Sequence, residues 1–448
     1  MTKYFGTDGM RGIAGQFPMD YSTVCVLGEA LVELLRQEGL PPRVIIGRDT
    51  RESGRWMEQA LFQGVESKKG EAVSSGIIPT SAVSFLAKTE DFSAGIIISA
   101  SHNPYQDNGI KIFSSTGMKI PEAWEKRLED SLQRLQRSVE PEIIPFDPEP
   151  TLGQKYTEYL LSRFTEGKNN RNIKVVLDCA NGASSAIAPF VFQLLGFKVQ
   201  AINASPDGKN INRDCGSLHP EALVEHVTEA KADIGIAYDG DADRAIWVDE
   251  NGNILNGDHT LFVQCRFMKE KGHLKSDKVV ATTMSNMGLE KALEKLGFTL
   301  VRTNVGDRFV LEEMIRIGAN LGGEQSGHTI FLDDCPTGDG ILTSIKMVEA
   351  MSIKEISLSA LVEDYRVYPQ VHRNVPVSKK EDFSLYPEIA QTMEQIENHI
   401  RDRGRFNLRY SGTEPLARIM VEGQNQEEME DLADRMVQVL TKHLGVKS

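Results

Sequence analysis

Short apolar runs, each followed by a polar turn and then an amphipathic stretch, recur along this chain. Val44-Ile45-Ile46-Gly47-Arg48-Asp49 begins one such unit. Lys174-Val175-Val176-Leu177-Asp178 begins a second, which runs through a helical stretch to Leu195-Gly196-Phe197 and then Lys198-Val199. Lys278-Val279-Val280-Ala281-Thr282 begins a third, which reaches Leu296-Gly297-Phe298 and Thr299-Leu300. β-Rich runs of this length predict strands, and the shared Leu-Gly-Phe predicts a helix end capped by a left-handed glycine. Strands alternating with helices predict right-handed crossovers and parallel or mixed sheets. The fold class expected is α/β: three tandem, related domains with mixed sheets, then a smaller C-terminal α+β domain. That last part reads strand–helix–strand–helix. Its closing helix, from about Gln426 to Leu444, carries Met429, Leu432, Met436 and Val437 near the helical period and is expected to pack on a sheet. Pro141, Pro145, Pro148 and Pro150 predict a linker, Asn251-Gly252-Asn253 a turn before a second seam, and Arg366-Val367-Tyr368-Pro369 with Val375-Pro376 a third. The expected domains are 1–150, 151–254, 255–366 and 367–448.

Composition narrows the function classes. A chain of 448 residues is too long for one ordinary core, which agrees with several domains. With 40% apolar and 25% charged residues it is expected to be soluble and globular. No apolar run approaches the roughly 18 residues of a membrane span, and Met1-Thr2-Lys3-Tyr4 leads into no apolar signal region, so a cytoplasmic protein without a membrane partner is expected. The net charge of −14 argues against nucleic acid or an anionic membrane surface. The five scattered cysteines form no C-x-x-C pair and no H-E-x-x-H occurs, which removes zinc-site and disulfide frameworks.

Four polar constellations carry chemistry, three of them directly after a predicted strand, where open α/β sheets bind ligands. In Ser99-Ala100-Ser101-His102-Asn103-Pro104, a strand runs into a small-residue turn that displays Ser101 beside His102, with Lys111 ten residues on. Such a serine can serve as nucleophile or phosphate carrier, although an ordinary turn uses the same residue types. Asp239-Gly240-Asp241-Ala242-Asp243-Arg244 places three carboxylates at alternate positions, a hard-oxygen set suited to Mg²⁺. An EF-hand reading fails because Arg244 stands where that loop requires glycine and because the flanks read as strands. Gly322-Gly323-Glu324-Gln325-Ser326-Gly327-His328 offers groups that can hydrogen-bond sugar hydroxyls, and a plain Gly-rich turn explains it equally well. Arg409-Tyr410-Ser411-Gly412-Thr413-Glu414-Pro415 with Arg418 combines hydroxyls, open backbone N–H groups and guanidinium forks, which is what a phosphate monoester needs.

With these motifs and Phe5-Gly6-Thr7-Asp8-Gly9-Met10-Arg11-Gly12, the chain resembles the α-D-phosphohexomutases over essentially its whole length. Asn212-Arg213-Asp214-Cys215-Gly216-Ser217-Leu218-His219-Pro220 and Gln325 look like the bacterial phosphoglucosamine mutase branch, while Leu218 and Gln106 depart from its usual residues. The resemblance implies four domains around a central cleft and an isomerase that interconverts glucosamine 6-phosphate and glucosamine 1-phosphate. It would work through phosphoserine 101 and a glucosamine 1,6-bisphosphate intermediate, and would supply UDP-N-acetylglucosamine biosynthesis. One Mg²⁺ per chain would be held by Asp239, Asp241, Asp243 and the Ser101 phosphate. Glu324, Ser326 and His328, with Thr303, Gly306 and Asp307, would bind the sugar; Arg409, Ser411, Gly412, Thr413 and Arg418 would bind its phosphate. Arg11, Arg244 and Lys111 would stabilise the transferring oxygens, and Lys111, its pKa lowered among cations, or His102 would be the general base. The expected partner is a small phosphosugar, and a homodimer is compatible with the resemblance. Mutase activity on glucose or mannose phosphate is the nearest alternative; a phosphatase or a non-catalytic sugar-phosphate sensor stands further off.

Overall fold

The structure, a computed structural model, describes residues 4–6, 8–135, 137–165, 172–401, 403–411 and 415–446. It divides into two compact units. The first comprises 1–284 and 298–363, the second 285–297 and 364–448.

The first unit contains three sheets that share a motif: three parallel strands followed by an antiparallel neighbour. In the first sheet the order is Phe5–Gly6, Gly9–Ile13, Asp107–Ser114, Ala94–Ile98, Arg43–Arg48, Glu71–Ile77. Arg43–Arg48 runs parallel to both neighbours, whereas Ala94–Ile98 pairs antiparallel with Asp107–Ser114. The second sheet has Lys174–Asp178 parallel to Lys198–Ile202 and Ile234–Tyr238, followed by antiparallel Ala245–Asp249. The third has Lys278–Thr282 parallel to Thr299–Thr303 and Leu321–Gly323, followed by antiparallel Thr329–Phe331. The three predicted units therefore begin on the strands expected. Gly196 (φ 89°) and Gly297 (φ 80°) end their helices in the left-handed region that the Leu-Gly-Phe pattern predicts.

Burial explains why these runs became strands. Ile96, Ile97, Ile98, Val175, Val176, Ile234, Ile236, Val279 and Val280 are shielded on both faces, as sheets covered by helices require. The proline-punctuated segment 137–149 has no regular structure, and Pro150 then opens the helix Pro150–Ser162, where its missing N–H costs nothing.

The second unit is a three-stranded antiparallel sheet, Gln370–Pro376, Leu416–Gly423, Gly404–Tyr410, packed with the helices Pro387–Ile400 and Gln426–Leu444. The closing helix buries Met429, Leu432 and Met436 against this sheet, with Val437 half-buried. One expectation needs correction. The order is strand–helix–strand–strand–helix, because Gly404–Tyr410 and Leu416–Gly423 are two separate strands that pair antiparallel.

Candidate active site

Ser101 follows the strand Ala94–Ile98 and has φ 52°, a conformation that costs a non-glycine residue about 1–2 kcal/mol. Its N–H donates to Ser99 Oγ (2.9 Å), and its hydroxyl donates to Asp239 Oδ2 at 2.5 Å. His102 Nδ1 lies 3.4 Å from Ser101 Oγ and 3.2 Å from Arg244 Nη1. Burial, then the nearby Arg244 and Arg11 guanidinium groups, push this imidazole down to about 4, so it is neutral at pH 7.

The acidic loop lies between the strands Ile234–Tyr238 and Ala245–Asp249. Strand flanks are incompatible with an EF-hand. Ala242 at φ 56° folds the loop so that one ligand oxygen each from Asp239, Asp241 and Asp243 lies within 4.8 Å of the others, all buried. Burial, then the Asp243 and Asp241 charges, hold the Asp239 carboxyl well above its ordinary value. Burial also disfavours ionised Asp243, but Lys111 and His328 outweigh it and hold that carboxyl well below. Asp241 Oδ2 accepts from Thr80 Oγ1 (2.6 Å), whereas Asp241 Oδ1 and Asp243 Oδ1 are buried without a hydrogen-bond partner among the described residues. Two orphaned carboxylate oxygens in a set of hard donors fit a divalent cation such as Mg²⁺.

Lys111 corrects an expectation. It projects from the strand Asp107–Ser114, and its Nζ lies 3.2 Å from Asp8 Oδ2, 3.2 Å from Asp241 Oδ2 and 3.5 Å from Asp243 Oδ2. The charged groups nearest its Nζ are carboxylates, and Arg11 is the weaker influence. Burial works against its charge, but the three carboxylates outweigh burial and raise its pKa well above the ordinary lysine value. Arg11 donates to Asp8 (2.6 Å), and Lys119 bridges Asp8 and Asp307, 2.7 Å from Asp307 Oδ2. Asp8 and Lys119 were missed as site residues by sequence reasoning. Asp8 stood inside a quoted motif without a role; Lys119 had no signal, since its partners come from distant segments.

The third loop arrives through an isolated antiparallel bridge between Arg244 and His328. Gly327 (φ 97°) lets it turn, and the buried Glu324 carboxylate accepts from Gly306 N (3.1 Å), tying it to the Thr303–Asp307 segment. Ser326 is exposed, and Thr303 Oγ1 donates to Asn304 O within its own loop. His328 Nδ1 is 3.4 Å from Asp243 and its Nε2 3.8 Å from Asp307. Burial opposes the imidazolium and these carboxylates favour it, toward about 9; the Gly338 amide, which donates to Nε2 at 2.9 Å, requires an acceptor there. The amide direction is fixed by the backbone, so the neutral ring with its proton on Nδ1 fits this geometry.

In the second unit, Arg409 and Arg418 are register partners on adjacent antiparallel strands. Burial, then the Arg418 charge, lower the Arg409 pKa, a like-charge pairing that suits an anion. Ser411 is buried, its N–H donates to Leu416 O (2.8 Å), and its carbonyl accepts from Lys380 Nζ (2.6 Å). Lys380 is a further cation the sequence did not single out. Gly412 and Thr413 lie outside the described residues, as does Thr7 of the N-terminal motif.

Four domain families match along the chain, described as phosphoglucomutase/phosphomannomutase alpha/beta/alpha domain I (residues 2–138), domain II (154–252), domain III (256–368) and C-terminal domain (373–439). Phosphoglucosamine mutase of Koribacter versatilis is 45% identical, covering 99% of this chain and 97% of that protein. That of Solibacter usitatus is 43% identical, covering 98% and 99%. Among solved structures, a phosphoglucomutase/phosphomannomutase family protein from Burkholderia thailandensis superposes with TM-score 0.81 at 20% identity, covering 100% of both chains. Aspergillus fumigatus N-acetylphosphoglucosamine mutase, solved with GlcNAc-6P and magnesium, gives TM-score 0.67 at 18% identity over 98% of this chain and 95% of that one. These two structures share the fold.

Proposed function

The chain belongs to the phosphoglucomutase/phosphomannomutase family, in its phosphoglucosamine mutase branch, and from that premise we propose that Ser101 is the phosphoryl carrier in converting glucosamine 6-phosphate to glucosamine 1-phosphate. The observation that carries this reading is the Ser101 hydroxyl on Asp239, inside a buried triad of which two carboxylate oxygens accept no hydrogen bond from the described residues. Asp239, Asp241 and Asp243 are the proposed holders of one Mg²⁺, which would neutralise the triad and draw charge from the phosphoryl oxygens at Ser101.

A sugar hydroxyl oxygen bonds to the phosphorus of phosphoserine 101 as the P–Oγ bond breaks. The hydroxyl proton passes to the neutral His102 imidazole, since Lys111 is held as an ammonium by its three carboxylates, and the Ser101 oxygen takes a proton as it leaves. The 1,6-bisphosphate formed turns end for end, so that its 6-phosphate returns to Ser101 and glucosamine 1-phosphate departs. Such a transition state is loose, so the work of the chain is placement and charge. Arg11, Arg244 and Lys111 supply positive charge beside the carrier. Glu324, Ser326 and His328, with Thr303, Gly306 and Asp307, are proposed to hold the sugar, and Arg409, Ser411, Gly412, Thr413 and Arg418 the phosphate not in transfer. The product would feed UDP-N-acetylglucosamine synthesis, and a cytoplasmic site would suit that use.

Phosphorus NMR tests the proposal, using glucosamine 6-phosphate, Mg²⁺ and enzyme primed with a trace of sugar bisphosphate. Glucosamine 1-phosphate is expected without free phosphate, and Ser101→Ala is expected to leave the spectrum unchanged. A free-phosphate signal alone would turn the reading to a phosphatase. Turnover of glucose or mannose phosphate in preference to glucosamine phosphate would move the sugar assignment.

A further inference from the structure

Arg51 has a fully buried side chain that transfer itself leaves unused. It lies just after the strand Arg43–Arg48, and its Nε donates to Asp49 Oδ2 at 2.9 Å. Its Nη2 donates to the carbonyls of Ser101 (2.9 Å) and Asn103 (2.8 Å). Its Nη1 donates to those of Pro104 and Asp107, the latter at 3.0 Å. All five guanidinium hydrogens are therefore used, four of them on the backbone of the loop that carries Ser101. A buried carbonyl left without a donor costs about 1–3 kcal/mol, so a turn that aims four inward needs such a group.

Asp49 extends the hold. Its Oδ2 also accepts from Ser99 Oγ (2.6 Å), and Ser99 Oγ in turn accepts the Ser101 N–H (2.9 Å). One buried ion pair thus fixes the Ser101 peptide on both sides, the amide through Asp49 and Ser99, the carbonyl through Arg51. A second clamp comes from the segment that belongs with the metal loop's sheet. Asn212, at φ 57°, gives its side-chain amide to the same two carbonyls, Ser101 O (2.9 Å) and Asn103 O (3.0 Å). Gly240 closes the arrangement from the metal loop. A Cβ there would lie 2.6 Å from Ser101 O and 2.9 Å from Asn212 Nδ2.

We propose that Arg51 and Asn212 are positioning residues that hold Ser101 in its left-handed conformation with Oγ on the acidic triad, an inference that rests on Ser101 being the phosphoryl carrier. Neither touches the reacting atoms; both act through the serine backbone. Because Asn212 and Gly240 accompany the aspartates while Arg51 accompanies the serine, the clamp sets the carrier-to-triad distance across two sheets. A misplacement of about 1 Å can cost about 100-fold in rate, which is the scale on which such a clamp acts.

The test is Asn212→Gly, which removes the amide and keeps a residue at ease with positive φ, beside Arg51→Lys, which retains charge against Asp49 but lacks the five-donor fork. For Asn212→Gly, kcat is expected to fall about 10-fold or more, with KM for glucosamine 6-phosphate within about twofold and an unchanged circular dichroism spectrum. Its phosphoserine phosphorus resonance is expected to shift or broaden, a change that general loosening elsewhere would not produce. Arg51→Lys is expected to lose more; should it fail to fold, Asn212→Gly decides the question. Wild-type turnover with an unchanged kcat and phosphoserine signal in Asn212→Gly would overturn the inference alone. Wild-type enzyme that carries phosphoserine yet converts none of these sugars would overturn the reading and the inference together.

Discussion

Asp241 meets two kinds of partner, Thr80 and Lys111 on Oδ2 and none of the described residues on Oδ1. Lys111 alone cannot compensate the triad, since it is shared with Asp8. Asp241→Asn keeps the Thr80 contact and removes one of the charges that would hold a cation. Because affinity for a hard cation follows the charge count of its ligands, the Mg²⁺ concentration for half-maximal activity is expected to rise at least about tenfold. A magnesium titration of turnover measures it, and an unchanged midpoint would remove Asp241 from the metal site. Lys111 itself shows how far residue types can mislead. A lysine grouped with Arg11, His102 and Arg244 reads as a cation among cations, yet the fold turns Asp8, Asp241 and Asp243 toward it.

At the scale of an element, Asp339 caps the helix Gly340–Lys354 by accepting from Leu342 N (2.9 Å) and also accepts from Tyr156 Oη (2.8 Å) on the helix Pro150–Ser162. Burial pushes its carboxyl up to about 6 although the Leu342 amide and the Tyr156 hydroxyl favour the ionised form. A carboxyl whose folded pKa lies above its unfolded value contributes stability that is full below the unfolded value and is lost as pH rises through the folded one. The window here runs from about 4 to about 6. Asp339→Asn retains a capping oxygen and has no proton to lose. The stability gap between wild type and Asp339→Asn is therefore expected to move in favour of the variant between pH 4 and pH 7, by about 1–3 kcal/mol. Urea midpoints of both proteins across that range measure it, and parallel curves would show that burial does not govern this carboxyl.

For the whole molecule, the three sheets of the first unit converge on one group of side chains through their strand ends, and the second unit carries its own hydrophobic core and arginine pair. Ligand binding to the native state alone raises stability, by about 2.7 kcal/mol at a concentration 100 times Kd. Mg²⁺ is therefore expected to raise the unfolding temperature of the transition that includes the first unit by about 2–4 °C, and a chelator to abolish turnover. Scanning calorimetry with Mg²⁺, and again with chelator, measures the first, and a turnover assay in chelator measures the second. Full activity in chelator would remove the metal from the mechanism.

Local pattern was enough to specify the elements and the chemistry that lies contiguous along the chain. Apolar runs that must be buried on both faces became the parallel strands, Gly196 and Gly297 ended their helices, and Asp239, Asp241 and Asp243 share one loop whose spacing alone brings them together. The extra strand of the second unit is hidden in the sequence because two strands parted by so short a polar stretch read as one strand and its loop. Folding in three dimensions was needed to bring Asp8 and Lys119 into the site, to face Lys111 with carboxylates, and to set Arg51 and Asn212 on the Ser101 backbone. The reason is physical: hydrogen-bond satisfaction and charge compensation act at about 3 Å, and the groups that supply them come from segments up to 188 residues apart, a separation no local pattern encodes.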